Sequence, residues 1–185
     1  MPSARRRMTR RTPRVIMLIA LIGISTIPSA RADALSRATA AYSHGDYDRA
    51  ARELSALAAQ GNPKALGLLG FMYEHGFGEP QAYDAAADLY ARGAVQGNPF
   101  AQAMLGLMYD KGHGVPRDVI LAYKWLNLAA AGARGHERDT YARFRNAVAS
   151  KMSPDEIAVG QRLALNWTPG AFEPPANASR SAIYK

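Results

Sequence analysis

The sequence predicts an all-α fold, an α/α superhelical solenoid of about four helix pairs, and two observations support this prediction. Residues 60–80 (QGNPKALGLLGFMYEHGFGEP) and residues 96–116 (QGNPFAQAMLGLMYDKGHGVP) are near copies of each other. Their period is typical of helical repeats, in which one helix pair cannot bury its apolar face alone and stacks on its neighbours. Downstream of the copies, Tyr141, Phe144 and Val148 follow each other at helical spacing.

A Gly-Asn-Pro triplet marks the start of each copy. Gly61 can take the left-handed conformation that ends a helix, Asn62 can cap the next helix, and Pro63 suits its first position, where no amide donor is needed. The same triplet stands at 97–99. We therefore predict two repeats, each with a first and a second helix. The repeats should cover 62–97 and 98–133, with first helices at about 63–74 and 99–111 and second helices at about 81–96 and 118–131.

The chain on either side of the repeats supplies the remaining two helix pairs. Residues 35–61 predict a degenerate first pair with a shorter turn, and residues 134–167 predict a capping pair with a first helix at about 137–151. Ser153 can cap the last helix, while Glu156 can close a capping box. The remaining residues, 168–185, contain several prolines and no periodicity, so we expect a flexible tail.

Residues 1–32 have the features of a secretory signal peptide. Several arginines precede an apolar run over 15–27, and the small residues Ala30 and Ala32 suit a signal peptidase. Because the run is shorter than the roughly 20 residues that span a bilayer, we predict cleavage after Ala32. The mature protein, with its helical domain over 33–167, should then be periplasmic or secreted and have no stable membrane insertion. The alternative is an uncleaved membrane anchor.

The basic character of the chain comes from this N-terminal segment. The whole sequence has 23 basic and 15 acidic residues, a net charge of +8, but seven arginines and no acids lie in residues 1–32. The predicted mature chain therefore has a net charge of only +1, which argues against nucleic acid as a partner. The chain also contains no cysteine, which excludes a disulfide framework, a thiol nucleophile and a cysteine-based zinc site.

The repeats resemble the Sel-one-like repeat (SLR), a relative of the tetratricopeptide repeat (TPR) with a longer turn. The second copy has the family pattern at Ala101, Leu105, Gly106, Met108, Tyr109, Gly112, Gly114, Val115, Asp118, Ala122, Trp125, Ala129 and Ala130. The first copy keeps Ala65, Leu69, Gly70, Met72, Tyr73, Gly76, Gly78 and Ala86 but has Ala82 for the aspartate and Leu89 for the tryptophan. The end of the chain is similar to the closing segment of exported bacterial members. The resemblance implies an α/α superhelix that acts as an adaptor, and it implies no chemistry by itself.

Glycine inside a helix costs about 1 kcal/mol relative to alanine, yet Gly70 and Gly106 occupy the same place in both copies. We interpret them as points of close helix crossing, where Ala86 or Ala122 can approach. Close approach of a ligand is the alternative interpretation. We assign the other motif positions to the core and the turns, namely Leu69, Tyr73, Gly76, Gly78, Leu105, Tyr109, Gly112, Gly114 and Trp125.

The first helices also have apolar residues outside the motif, and these are the candidate partner-binding surface. Phe100, Met104 and Leu107 share one helix face, and methionine suits adaptable binding. If this face lines the concave side of the solenoid, it forms a groove for a peptide or helix. The alternative is that the apolar stripe packs on the next helix pair. The candidate residues are Lys64, Leu68, Phe71, Phe100, Met104, Leu107 and Lys111.

Metal binding and catalysis have little support in the sequence. His44, His75 and His113 fall near successive turns, which lie too far apart in a solenoid to share a metal ion, so we predict neither metal nor cofactor. No catalytic motif is present, and we predict a non-enzymatic exported adaptor that binds another exported or inner-membrane protein. Two alternatives remain: an envelope enzyme or glycan- or peptidoglycan-binding module related to β-lactam-binding family members, and a membrane-anchored signalling regulator.

Overall fold

The computed structural model describes residues 27–170, with side chains described from residue 32 onward. This part of the chain consists of eight α-helices joined by turns, without β-strands, and confirms the predicted all-α class. The helices are α1 (Ile27–Ser43), α2 (Tyr47–Ala59), α3 (Pro63–His75), α4 (Tyr83–Ala94), α5 (Pro99–Lys111), α6 (Val119–Gly132), α7 (Gly135–Ala149) and α8 (Pro154–Leu165). The predicted signal peptide overlaps α1 at 27–32, and its remaining residues lie outside the described part.

Helices that follow each other along the chain pack together, and the resulting pairs stack. Helix α1 packs on α2, α3 on α4 and α5 on α6, while α3 and α5 contact each other across the pair boundary. The last two helices depart from this pattern, because α7 and α8 both pack chiefly on α6 instead of on each other. Helix α6 buries residues around most of its circumference, including Leu121, Trp125 and Leu126. It therefore needs cover on more than one side, and α7 and α8 provide it.

The Gly-Asn-Pro triplets end one helix and cap the next, as the sequence predicts. Asn62 Oδ1 accepts hydrogen bonds from the main-chain N–H groups of Lys64 and Ala65, at 3.0 and 3.1 Å. Asn98 Oδ1 accepts one from Ala101 N–H at 2.8 Å. Each helix then begins at a proline, whose missing N–H would have had no partner in the first turn.

The second helices of the two repeats start at equivalent residues but are capped differently. In α6, Asp118 Oδ1 accepts from the N–H groups of Ile120 and Leu121. Helix α4 has Ala82 at this place and no side-chain cap. It begins at Tyr83, slightly later than the predicted start at Gln81, and Tyr83 is the repeat position equivalent to Val119, the first residue of α6.

The helical glycines lie where two helices cross closely. A Cβ atom on Gly106 would be 2.8 Å from Leu126 Cγ and 3.1 Å from the carbonyl oxygen of Ala122. The equivalent Gly70 faces the ring of Tyr90, which a Cβ atom would approach to 2.9 Å. The absent side chains let each first helix approach the backbone of its second helix, with Tyr90 or Leu126 filling the remaining space.

Two hydrophobic clusters form the core. One joins α1, α2 and α3, and the other runs from α4 through α6 to α7. Of the motif residues assigned to the core, Leu69, Leu105, Tyr109 and Trp125 are buried, whereas Tyr73 is half-buried. Tyr90, which is not one of the motif positions, is among the largest fully buried side chains.

The C-terminal end of the described chain stays packed beyond the last helix. The ring of Trp167 meets that of Trp125 edge to face, with centroids 6.2 Å apart. Gly170 N–H donates a hydrogen bond to the carbonyl oxygen of Val95 at 2.7 Å. The first residues of the predicted tail therefore contact the fold, and the rest, 171–185, lie outside the described residues. Within the described part, no helix is both long and apolar enough to cross a membrane.

Candidate functional site

The first turns of α3, α5 and α7 surround a surface pocket of about 360 Å³. We call it the α3–α5–α7 pocket, and it is lined by Lys64, Leu68, Asn98, Pro99, Phe100 and Glu137. Helices α3 and α5 are the first helices of the two repeats and α7 follows the second repeat, so the pocket crosses the boundaries between repeats. The structure thus gathers three of the predicted partner-binding residues, Lys64, Leu68 and Phe100, in one place.

Close packing beneath the pocket fixes the position of Phe100. Its ring lies against Gly67 of α3, where a Cβ atom would be 3.1 Å from Phe100 Cδ1. The same ring has neighbours at centroid distances of 6.2 Å, for Phe71, and 6.4 Å, for Tyr90. Phe100 is half-buried, so it forms a preformed apolar wall rather than a mobile exposed side chain.

The other four predicted binding residues do not line this pocket. Phe71, Met104 and Leu107 are half-buried and pack against the hydrophobic core. Lys111 is exposed at the opposite end of α5, roughly 16 Å from Phe100 along the helix axis. The predicted stripe is therefore divided, because a helix in a stacked solenoid turns successive parts of one face toward different neighbours.

Two opposite charges stand at the rim of the pocket. Lys64 and Glu137 are both exposed, and neither forms an ion pair with any residue of the described chain. Glu137 affects a residue of its own helix. The pKa of Tyr141 is raised, first by burial and then by the nearby carboxylate of Glu137. The rim thus offers one cation and one anion to a partner.

A group of aromatic rings lies next to the pocket, between α1, α2 and α3. Phe71 stacks on His75 with centroids 4.0 Å apart, and Tyr47 stacks on Phe77 at 4.8 Å. Phe71 and Phe77 join these two pairs at 6.2 Å. The ring of His75 also contacts the carbonyl oxygen of Phe71 through Nδ1, at 2.9 Å. His75 therefore has a packing role, and the described residues contain no group of side chains arranged to hold a metal ion.

A hydrogen bond between the buried Tyr90 and the half-buried Glu74 links α3 to α4. The hydroxyl of Tyr90 donates a hydrogen bond to Glu74 Oε2 at 2.8 Å. Burial, and then the nearby carboxylate, raise the pKa of Tyr90 well above its usual range. A phenol that holds its proton this strongly is a structural donor, and we assign it no catalytic part.

Three lining residues are not predicted as surface residues from the sequence, namely Asn98, Pro99 and Glu137. In the sequence, Glu137 indicates only the start of a helix, Asn98 only a cap and Pro99 only a first helical position. The side chain of Asn98 does cap α5, yet the same residue forms part of the pocket wall. Spacing along the chain places a residue on its own helix, but it does not show which helix starts converge in a superhelix.

An all-α stack of this kind, with a repeated helix pair, belongs to the class of helical-repeat proteins. A family model described as Sel1 repeat matches residues 63–98 and 99–133. The chain therefore contains two Sel1 repeats, which confirms the predicted resemblance. Proteins with this repeat are generally scaffolds for protein–protein interaction and typically not enzymes.

Solved structures share the fold of this chain. A protective antigen of uropathogenic Escherichia coli with an SLR fold is similar at a TM-score of 0.68 and 22% identity, over 74% of this chain and 29% of the antigen. A Sel1 repeat protein from Oxalobacter formigenes is similar at a TM-score of 0.58 and 26% identity, over 72% of this chain and 56% of that protein. The chain thus matches well under two thirds of either relative's length. No curated protein sequence gives a significant match.

Proposed function

We propose that the protein is an exported adaptor that binds a partner protein through the α3–α5–α7 pocket. The observation behind this proposal is the pocket itself, an apolar wall of Leu68, Pro99 and Phe100 with two exposed charges that have no ion-pair partner in the described chain. Its volume suits one or two apolar side chains. Sel1-repeat proteins generally act as interaction scaffolds, which agrees with a site of this kind.

The charges at the rim indicate which partner segment fits. Lys64 would attract an acidic residue, and Glu137 a basic one, on either side of an apolar anchor. Such a segment binds with a fixed direction, because reversing it would place like charges together. Exposed charges chiefly speed association, and salt screens them. Binding should therefore weaken as salt concentration rises.

Site-specific crosslinking tests the location of this surface. A photo-reactive amino acid placed at residue 64 should crosslink to a protein partner in living cells, and the same group at Arg52 of α2 serves as the control. Arg52 is also exposed and lies outside the pocket. Equal crosslinking yields from the two positions would contradict the proposal.

Charge reversal tests whether the pocket supplies the affinity. Lys64→Glu should weaken binding of the crosslinked partner about tenfold in a purified system, whereas Arg52→Glu should leave it unchanged. Both residues are exposed, so the helical circular dichroism spectrum should stay the same. We prefer Lys64 to Phe100 for this test, because Phe100→Asp would place a charge against Gly67 and the core. If partner affinity is insensitive to Lys64→Glu and also to Leu68→Gln, the partner binds elsewhere.

The exported location rests on the N-terminal segment and has its own test. Mass spectrometry of the protein recovered from cells should give a chain that starts at Asp33. That start would exclude the membrane-anchored regulator. A mature chain that retains residues 15–27 would instead support it.

A further inference from the structure

A second pocket, of about 430 Å³, lies where α7 and α8 separate over α6. We call it the α6–α7–α8 pocket. Both outer helices pack on α6 and not chiefly on each other, so a gap remains between them. The gap is lined by Tyr123, Asn127, Arg145, Asn146, Ala149, Gln161 and Leu165. Arg145 is the one charged residue in this lining, and no lining residue is a carboxylate.

The guanidinium of Arg145 is oriented by neutral groups. Its Nη1 donates to Asn127 Oδ1 at 3.1 Å, which ties α7 to α6. Its Nε and Nη2 both donate to Asn146 Oδ1, at 3.2 and 3.0 Å. Within the described residues, Arg145 forms no ion pair. The charge of Arg145 is thus held in place without being neutralised.

The edge formed by Nε and Nη2 is the part of an arginine that suits a carboxylate. Its two parallel N–H groups match the two oxygens of a carboxylate, and such charge-assisted pairs are roughly twice as strong as bonds between neutral groups. Here a single amide oxygen occupies that edge. Asn146 is exposed and is the next residue along α7, so its side chain can turn away without disturbing the fold.

The remaining walls of the pocket combine polar and apolar groups. Gln161 Nε2 donates to the hydroxyl of the buried Tyr123 over a long 3.4 Å. On the apolar side, Ala149 is half-buried, and Leu165 is 83% exposed. A leucine this exposed gains little from the fold of the chain itself, and a ligand that covered it would bury apolar area.

We propose that the α6–α7–α8 pocket binds a carboxylate attached to an apolar group. The carboxylate replaces Asn146 Oδ1 on the Nε and Nη2 edge of Arg145, while the apolar group covers Leu165. Such a ligand is the C-terminal residue of a peptide, or an acidic side chain next to an apolar one. This site is separate from the α3–α5–α7 pocket: the two share no lining residue, and Arg145 lies about 12 Å along α7 from Glu137.

Short blocked peptides distinguish the two sources of the carboxylate. The probes are acetyl-Ala-Leu with a free C-terminus, acetyl-Ala-Leu amide, and acetyl-Leu-Asp amide, each titrated to roughly 10 mM because a contact of this size gives millimolar affinity. Binding is followed by nuclear magnetic resonance of the Arg145 Nε–H and the side-chain amides of Asn127 and Gln161. We expect acetyl-Ala-Leu to bind at least about tenfold more tightly than its amide. Binding of acetyl-Leu-Asp amide alone would assign the site to acidic side chains and would still support a carboxylate site.

Three variants separate a binding role from a structural one. Arg145→Gln should lower the affinity for the bound probe about tenfold or more, and Arg145→Lys should lower it less, because lysine keeps the charge but not the paired donors. Asn146→Ala should bind the probe more tightly than the natural protein, since it removes the competing amide oxygen. The proposal is overturned if no carboxylate probe binds, if the amide binds as well as the acid, or if Arg145→Gln binds unchanged.

Discussion

Gly114 lies directly against the main-chain carbonyl of Tyr83, the first residue of α4. The same relation holds one repeat earlier, where Gly78 lies against the carbonyl of Tyr47, the first residue of α2. Each long turn therefore contacts the start of the second helix in the preceding pair. The first pair, which the sequence predicts as degenerate, offers the same contact surface as a complete repeat.

Replacing Gly114 by alanine tests how much this contact between repeats stabilises the fold. Gly114 has φ +65°, and a Cβ atom there would collide with the Tyr83 carbonyl. Gly45 is a matched control, because it has φ +79° but nothing within 4 Å of an added Cβ. Gly45→Ala should cost about 1 kcal/mol from the left-handed backbone alone. Gly114→Ala should lower the free energy of unfolding measured in urea by about 3 kcal/mol, since the backbone must also move. Equal losses for Gly45→Ala and Gly114→Ala would show that the contact between Gly114 and Tyr83 does not stabilise the fold.

The close crossing at Gly106 is best tested with a double-mutant cycle. Gly106→Ala should lower the free energy of unfolding by about 1 to 2 kcal/mol, because overpacking outweighs the higher helix propensity of alanine. Leu126→Ala empties the space that the new methyl group would enter and should itself cost about 3 kcal/mol. The double variant should therefore be more stable than the sum of the single losses, by about 1 kcal/mol. Strict additivity would mean that Gly106 does not meet Leu126 in solution.

The sequence predicts the repeats well because their turns are encoded locally. Gly-Asn-Pro contains the left-handed end, the cap and the first helical residue, so α3 and α5 begin where expected. Local signals fail where they are weak: α7 begins at Gly135, earlier than the predicted 137, and α4 has no capping side chain.

The two pockets could not be predicted in the same way. Their walls come from three helices each, and their existence depends on how pairs rotate relative to each other. Leu68 and Phe100 could be chosen as apolar surface candidates, but nothing near Glu137 in the sequence indicates that it lies at the same rim. The gap beside Arg145 depends on α7 and α8 separating over α6, for which the sequence contains no signal.

The buried phenol of Tyr90 should make the protein less stable in alkali. Burial and Glu74 raise the pKa of Tyr90 in the folded chain above the usual 10.0. The contribution of Tyr90 to the free energy of unfolding is therefore complete below pH 10 and is lost as pH rises through and beyond that value. In the unfolded chain the proton dissociates near pH 10, and each further unit then lowers the stability by up to about 1.4 kcal/mol. Tyr90→Phe should cost about 1 kcal/mol at neutral pH through the lost hydrogen bond.

Urea unfolding across this range gives the measurement. The stability difference between the natural protein and Tyr90→Phe should shrink above pH 10, because only the natural protein loses this contribution. Tyr83→Phe is the control for removing a tyrosine hydroxyl from the surface, since Tyr83 is exposed at 36%. Some slope should persist in Tyr90→Phe, because burial also raises the pKa of Tyr42 and Tyr141. Parallel curves for the natural protein and Tyr90→Phe would contradict a buried, protonated Tyr90.

Trp167 should stabilise the C-terminal end of the solenoid although it lies outside any helix. Its ring packs edge to face on Trp125, and it also covers Gly97 at the turn between the two repeats. Trp167→Ala should therefore lower the free energy of unfolding by about 2 kcal/mol, less than for a fully buried tryptophan because the residue is half-buried. Leu165→Ala provides a control two residues away, with a side chain that is 83% exposed. It should change stability by less than about 0.5 kcal/mol, and a loss as large as that of Trp167→Ala would mean that α8 ends in a different packing arrangement.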